Sequence, residues 1–191
     1  MKQRVWIWVC VFVITVFTVS AIAADVPSDE KKRTSFNKYV TALEAYEMWK
    51  ADPQKVKILD VRTPEEYVFV GHPPMAVNIP SEIWAGQWNE EKKDFPLVPN
   101  PNFEAQVKAR FQSDDVLLVM CRSGHRSAKA IERMAAAGFT NVYNIVDGFE
   151  GDKINDTESY FHGKRMKNGW KNSGAPWTYN LDPQLVFMPK P

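Results

Sequence analysis

Val116-Leu117-Leu118-Val119-Met120 is a run of five consecutive apolar residues, and it leads without a break into Cys121-Arg122-Ser123-Gly124-His125-Arg126. A short, wholly apolar run suits a strand covered on both faces, as inside a parallel sheet. Ser127 to Ala137 reads as a helix, with Gly138 placed to end it. The chain here therefore reads strand, six-residue loop, helix, with the loop at the carboxyl end of a central strand. Open α/β sheets place their ligands at such loops.

The neighbouring stretches fit the same class. Thr41 to Lys50 has good helix formers, with Leu43 and Tyr46 at helical spacing. Val56 to Val61 suits a buried strand. Thr63-Pro64-Glu65-Glu66 is a helix start, with Thr63 as N-cap and Glu66 completing a capping box. Ala76 to Ile79 is a second short strand. Ser81 to Asn102 is rich in Pro and Trp and reads as irregular. Phe103 to Phe111 presents Phe103, Val107 and Phe111 on one helical face, and Asn141 to Val146 is a further strand. This alternation predicts an α/β fold around a mostly parallel sheet with helices on its faces. From Gly151 onward no clean period survives. That tail is expected to pack on the surface through Trp170, Trp177, Tyr179 and Phe187.

The N-terminus stands apart. Met1-Lys2-Gln3-Arg4 is basic, Val5 to Val19 is almost wholly apolar, and Ala21-Ile22-Ala23 fits a signal-peptidase site. Residues 1–23 read as a secretory signal peptide cut after Ala23 or Ala24. The alternative is an uncleaved anchor, since Val5 to Ala24 is long enough to cross a bilayer. In either case Lys2 and Arg4 stay cytoplasmic and the rest is exported, with membrane contact only if the segment is retained. Cys10 lies in this segment. Cys121 is then the one cysteine of the mature chain, and no internal disulfide is available to it. With 24 basic and 23 acidic residues, bulk charge gives no reason to expect nucleic-acid binding.

The Cys121 loop is suited to holding an anion. Gly124 permits a tight turn in which successive N–H groups point inward. The following helix adds its positive dipole end, and Arg122 and Arg126 add two permanent charges. These features favour a thiolate, and an accessible nucleophilic Cys121 is expected.

Three stretches together resemble the rhodanese-like domains. They are Ile58-Leu59-Asp60-Val61-Arg62-Thr63-Pro64-Glu65-Glu66-Tyr67, then Gly71-His72-Pro73-Pro74-Met75-Ala76-Val77-Asn78-Ile79-Pro80, then Cys121-Arg122-Ser123-Gly124-His125-Arg126-Ser127 with Gly138-Phe139-Thr140-Asn141-Val142 after its helix. The resemblance covers roughly Phe36 to Gly148. It implies a five-stranded, mostly parallel sheet with helices on both faces. It divides the chain into a signal segment (1–23), a mobile charged linker (24–37), a rhodanese-like domain (38–150) and a Trp-rich C-terminal extension (151–191).

The resemblance also implies a reaction. Cys121 takes sulfur from a donor such as thiosulfate or a persulfide, carries it as a persulfide, and passes it to cyanide, a small thiol or a protein partner in the periplasm. No metal or organic cofactor is required. Arg122 is expected to contact the substrate anion, with Ser123, Gly124, His125, Arg126 and Ser127 completing the loop. Arg126 is expected to pair with a carboxylate beneath the site. Arg62 is expected to pair with Glu66, and Asp60 to lie near the base of the loop, so these three act as support. His72 fixes its own turn. Trp84, Trp88, Trp170 and Trp177 are packing anchors, or else an acceptor pocket wall.

Relatives with phosphatase or arsenate-reductase activity carry Cys-x5-Arg loops. Four residues separate Cys121 from Arg126 here, a tighter ring that favours a single sulfur atom. A non-catalytic binding module on the same fold is the other alternative. The chain departs from the family at Pro73-Pro74-Met75-Ala76, at Asp147-Gly148-Phe149-Glu150-Gly151-Asp152, in the 81–102 insertion and in the tail.

Overall fold

The computed structural model describes residues 24–188, so the predicted signal segment lies outside the described residues. In chain order the elements are β1 (Tyr39–Val40), α1 (Ala42–Ala51), β2 (Val56–Asp60), α2 (Pro64–Val70), β3 (Val77–Asn78), β4 (Glu82–Trp84), β5 (Leu97–Pro99), α3 (Phe103–Arg110), β6 (Val116–Met120), α4 (His125–Ala136) and β7 (Val142–Ile145). Short 3-10 turns lie at Glu30–Lys32 and Trp170–Asn172.

Five strands form one parallel sheet in the order β1-β7-β6-β2-β3, which makes β6 central. Alternation along β6 builds both faces of the core. Leu117, Val119 and Cys121 pack with Phe103, Val107, Ile131 and Met134 on the side of α3 and α4. Leu118 and Met120 pack with Ala42, Ala45, Tyr67 and Trp170 on the other side, under α1 and α2. The apolar run of β6 has this cause, since every residue from Leu117 to Met120 is fully buried.

Capping boxes start α1 and α2, with the Thr41 and Thr63 side chains accepting from the N–H of Glu44 and Glu66. α4 begins two residues earlier than expected. Gly124 caps it in the left-handed conformation (φ 93°), so the loop is Cys121–Gly124 and Arg126 belongs to the first helical turn.

Two further expectations need correction. The stretch 81–102 is not wholly irregular, because β4 and β5 pair antiparallel as a hairpin outside the main sheet. The sheet has the five strands expected, and the one that the sequence left unplaced is the two-residue β1, paired with β7. The charged segment expected to be a mobile linker is packed down instead. Lys32 is only 7% exposed, its Nζ donates to Asp152 at 2.8 Å, and the Ser35 N–H donates to Glu132 in α4 at 2.7 Å.

The tail also docks. Trp170 is fully buried and its indole N–H donates to the Pro176 carbonyl at 2.9 Å. His72, also buried, holds this tail as well as its own turn: its ring nitrogens lie 3.0 Å from the Tyr67 carbonyl and 3.2 Å from the Asn180 carbonyl. At the two outer strands, the Ala24 N–H donates to the Tyr39 carbonyl at 2.9 Å and the Asn78 N–H to the Leu185 carbonyl at 2.8 Å.

Candidate active site

The chain leaves β2 for α2 on one face of the sheet and leaves β6 for α4 on the other. The two adjacent strands therefore part company at their carboxyl ends and leave a crevice there. A cup of about 420 Å3 opens in it, lined by Thr63, Glu65 and Glu66 from one side and Cys121, Arg122, Ser123, His125 and Arg126 from the other. Trp84, Phe95 and Leu97 of the hairpin form a third, apolar wall.

Cys121 is only 1% exposed. The expected accessible nucleophile is in fact recessed, because its side chain continues the inward alternation of β6. Its surroundings are polar on the loop side. The Gly124 N–H donates to Sγ at 3.2 Å. The Ser127 Oγ lies 3.5 Å from Sγ and donates to Asn144 Oδ1 at 2.6 Å. The amide of Asn144 in turn donates to the carbonyls of Gly124 and Lys32 at 3.1 and 2.8 Å.

The loop is braced from behind. The Cys121 carbonyl accepts from Phe149 N–H at 2.8 Å, and the Arg122 carbonyl accepts from Glu150 and Gly151 at 3.0 and 3.2 Å. Peptide planarity then turns the N–H groups of Arg122 and Ser123 away from that turn. Two glycines permit the close approach. A Cβ on Gly148 (φ 61°) would sit 2.5 Å from the Cys121 carbonyl oxygen, and one on Gly124 would sit 2.3 Å from that of Val146.

The charged groups sort into three sets. Arg126 and Glu66 form a two-bond pair across the crevice at 2.7 and 2.6 Å, tying α4 to α2. Burial alone would push the Glu66 carboxyl up, but the Arg126 hydrogen bonds and charge outweigh it and hold it below the usual carboxylate range. Arg62 does not pair with Glu66 as expected. It turns under the sheet to Asp60, with Nη2 at 2.6 Å from Oδ2, both side chains fully buried. It also donates to the Gly71 carbonyl at 2.8 Å and lies 4.1 Å over the Phe149 ring. The reason is that Glu66 is already committed to the Thr63 N–H and to Arg126. Arg122 is exposed on the cup and makes no ion pair with the described residues.

A match to the family model described as Rhodanese-like domain covers residues 41–154. The chain belongs to the rhodanese-like domain family. The fold of this rhodanese-like protein is also that of the Rv0390 protein of M. tuberculosis, whose crystal structure matches with a TM-score of 0.58 and 31% identity, covering 75% of this chain and 100% of that one. Thiosulfate sulfurtransferase 16, chloroplastic, of Arabidopsis thaliana is 39% identical over 49% of this chain and 70% of its own length. Senescence-associated protein DIN1 of Raphanus sativus is 39% identical over 49% of this chain and 46% of its own, so the match spans about half the length of that relative.

The sequence named the loop residues and counted Glu66 as support through Arg62, but did not identify it as the carboxylate that pairs with Arg126, and it missed Asn144, Gly148 and Asp29 (Asp29 Oδ2 lies 2.6 Å from the His125 ring). Asn144 carried a signal, a polar residue within an otherwise apolar buried strand. It faces the loop because β7 pairs in register with β6, Val119 opposite Asn144.

Proposed function

We propose that this rhodanese-like protein is a sulfurtransferase that carries sulfane sulfur as a Cys121 persulfide. The observation that carries the reading is the cradle of Cys121: a recessed sulfur that receives the Gly124 N–H at 3.2 Å, with the unpaired Arg122 on the same cup. The Cys121 thiolate attacks the outer sulfur of thiosulfate. A sulfur–sulfur bond forms to Sγ, the donor's own bond breaks, and sulfite leaves with the electron pair. The persulfide anion then lies among N–H donors at the start of α4, where negative charge is stabilised. A nucleophilic acceptor takes the outer sulfur and releases the Cys121 thiolate. Similarity to a protein named thiosulfate sulfurtransferase supports the donor class. The apolar hairpin wall supports an acceptor larger than cyanide, since cups of roughly 300 Å3 and more suit whole small molecules.

Export belongs to the proposal. The basic start, apolar run and Ala-rich end of residues 1–23 support a periplasmic site of action. Fractionation of cells producing the full chain tests this, and recovery with the cytoplasm would overturn it.

The test of the reaction is thiosulfate treatment of the wild-type protein and of Cys121→Ser. The wild type gains the mass of one sulfur atom and forms thiocyanate when cyanide is added. A serine variant that turned over like wild type would sink the assignment. A wild type that never loads sulfur would favour the alternative of a non-catalytic binding module.

A further inference from the structure

A carboxylate from outside the stretch that matches the family reaches the lip of the cup. Asp29 Oδ2 lies 2.6 Å from His125 Nε2, whereas the family match begins at residue 41. The approach is built into the N-terminal segment. Asp29 caps the Glu30–Lys32 turn by accepting the Lys31 N–H at 3.0 Å. That turn is pinned at its end by Lys32 to Asp152 and just after it by Ser35 to Glu132.

The hydrogen bond selects the tautomer of the neutral ring. An ionised carboxylate only accepts, so Nε2 of the neutral imidazole carries the proton and Nδ1 keeps its lone pair. Among the described residues, Nδ1 makes no hydrogen bond. His125 lines the same cup as Cys121 and Arg122. A base has no part in the attack of a Cys121 thiolate on thiosulfate, where no proton moves. It does have one in the second half-reaction when the acceptor is a thiol, since free thiols near pKa 8.5 are mostly protonated at neutral pH.

We infer that His125 is the base that deprotonates an incoming thiol acceptor, with Asp29 as its positioning residue. The inference rests on the persulfide reading above. The thiol R–SH gives its proton to Nδ1. The R–S⁻ sulfur attacks the outer sulfur of the Cys121 persulfide and a new sulfur–sulfur bond forms. The bond to Sγ breaks with its electron pair going to Sγ. The products are R–S–S⁻ and the Cys121 thiolate, and the imidazolium returns its proton to solvent. No external oxidant or reductant enters. Arg122 offsets the approach of two anions.

The test is single-turnover transfer from thiosulfate-loaded protein at a fixed neutral pH, with rates counted per loaded Cys121. The acceptors are a simple alkyl thiol and a nitro-substituted aryl thiol that is already ionised. In His125→Gln, transfer to the alkyl thiol falls by about tenfold or more, while transfer to the aryl thiolate stays within about twofold. Asp29→Asn, which leaves the ring in place, gives the same selective loss at smaller size. A loss equal for both acceptors, or no loss with either variant, overturns the base assignment. A wild type that never loads sulfur fails the persulfide reading instead, before any acceptor is added.

Discussion

The Glu66 carboxylate serves three partners at the mouth of the cup: the Thr63 N–H and two guanidinium nitrogens of Arg126. Replacing it leaves a mostly buried arginine without its counter-charge. Glu66→Gln is expected to cost about 2 kcal/mol at neutral pH, less than a fully buried pair would lose because both side chains keep some exposure. The sign of the pH dependence follows from the lowered Glu66 carboxyl. Its stabilisation is present above the unfolded carboxyl value and is lost as pH falls through the folded one. Thermal melts of wild type and variant should therefore converge below about pH 4 and diverge above it. At this scale the sequence was legible where partners are local, as with Thr63 and Glu66. It misled at Arg62, where the family resemblance suggested Glu66 and the real partner is Asp60, two residues back in the strand. Glu66 is already taken by the Thr63 N–H and by Arg126.

Elements were legible in proportion to their length and apolar continuity. The five residues of β6 stood out, whereas β1 has two residues and the hairpin strands three each. Pro96 and Pro99 obscured the hairpin further, since proline is kept to strand edges. That hairpin gives the cup its distinctive wall. The Trp84 and Phe95 rings stack with centroids 5.4 Å apart, and Trp88 meets Phe95 edge-on at 5.2 Å. Trp84 remains 52% exposed and Phe95 47%, so ring surface is left for a substrate to cover. A Trp84→Ala/Phe95→Ala protein should show KM raised by roughly tenfold for bulky organic thiols, the equivalent of about one lost aromatic contact. Steady-state assays with cyanide as acceptor should show KM near wild type, because cyanide is too small to reach that wall.

On the scale of the whole molecule, the family match ends at residue 154 but the core does not. Trp170 and Ala175 fill the α1/α2 side of the sheet together with Leu118 and Met120. Asp147 joins that tail to the sheet, accepting from the Ala42 N–H at 2.8 Å and the Gly169 N–H at 3.0 Å. Trp170→Ala is expected to cost about 4 kcal/mol, measured by chemical denaturation. A chain ended at residue 154 should lose its cooperative melt altogether, as followed by near-UV circular dichroism. The sequence could not disclose this dependence. The tail has no period of its own and is ordered by the surface that it covers.

The backbone bonds of Ala24 and Leu185 have a social consequence. An outer strand with free N–H and carbonyl groups is a template on which other chains, including copies of the same one, can lengthen a sheet. Here the segments around Ala24 and Leu185 occupy part of that template on both flanks, at Tyr39 and at Asn78. Ladder growth into ribbons or fibrils is blunted at either side. Side chains are then the readier means of contact with another protein, and the aromatic hairpin beside the sulfur offers them.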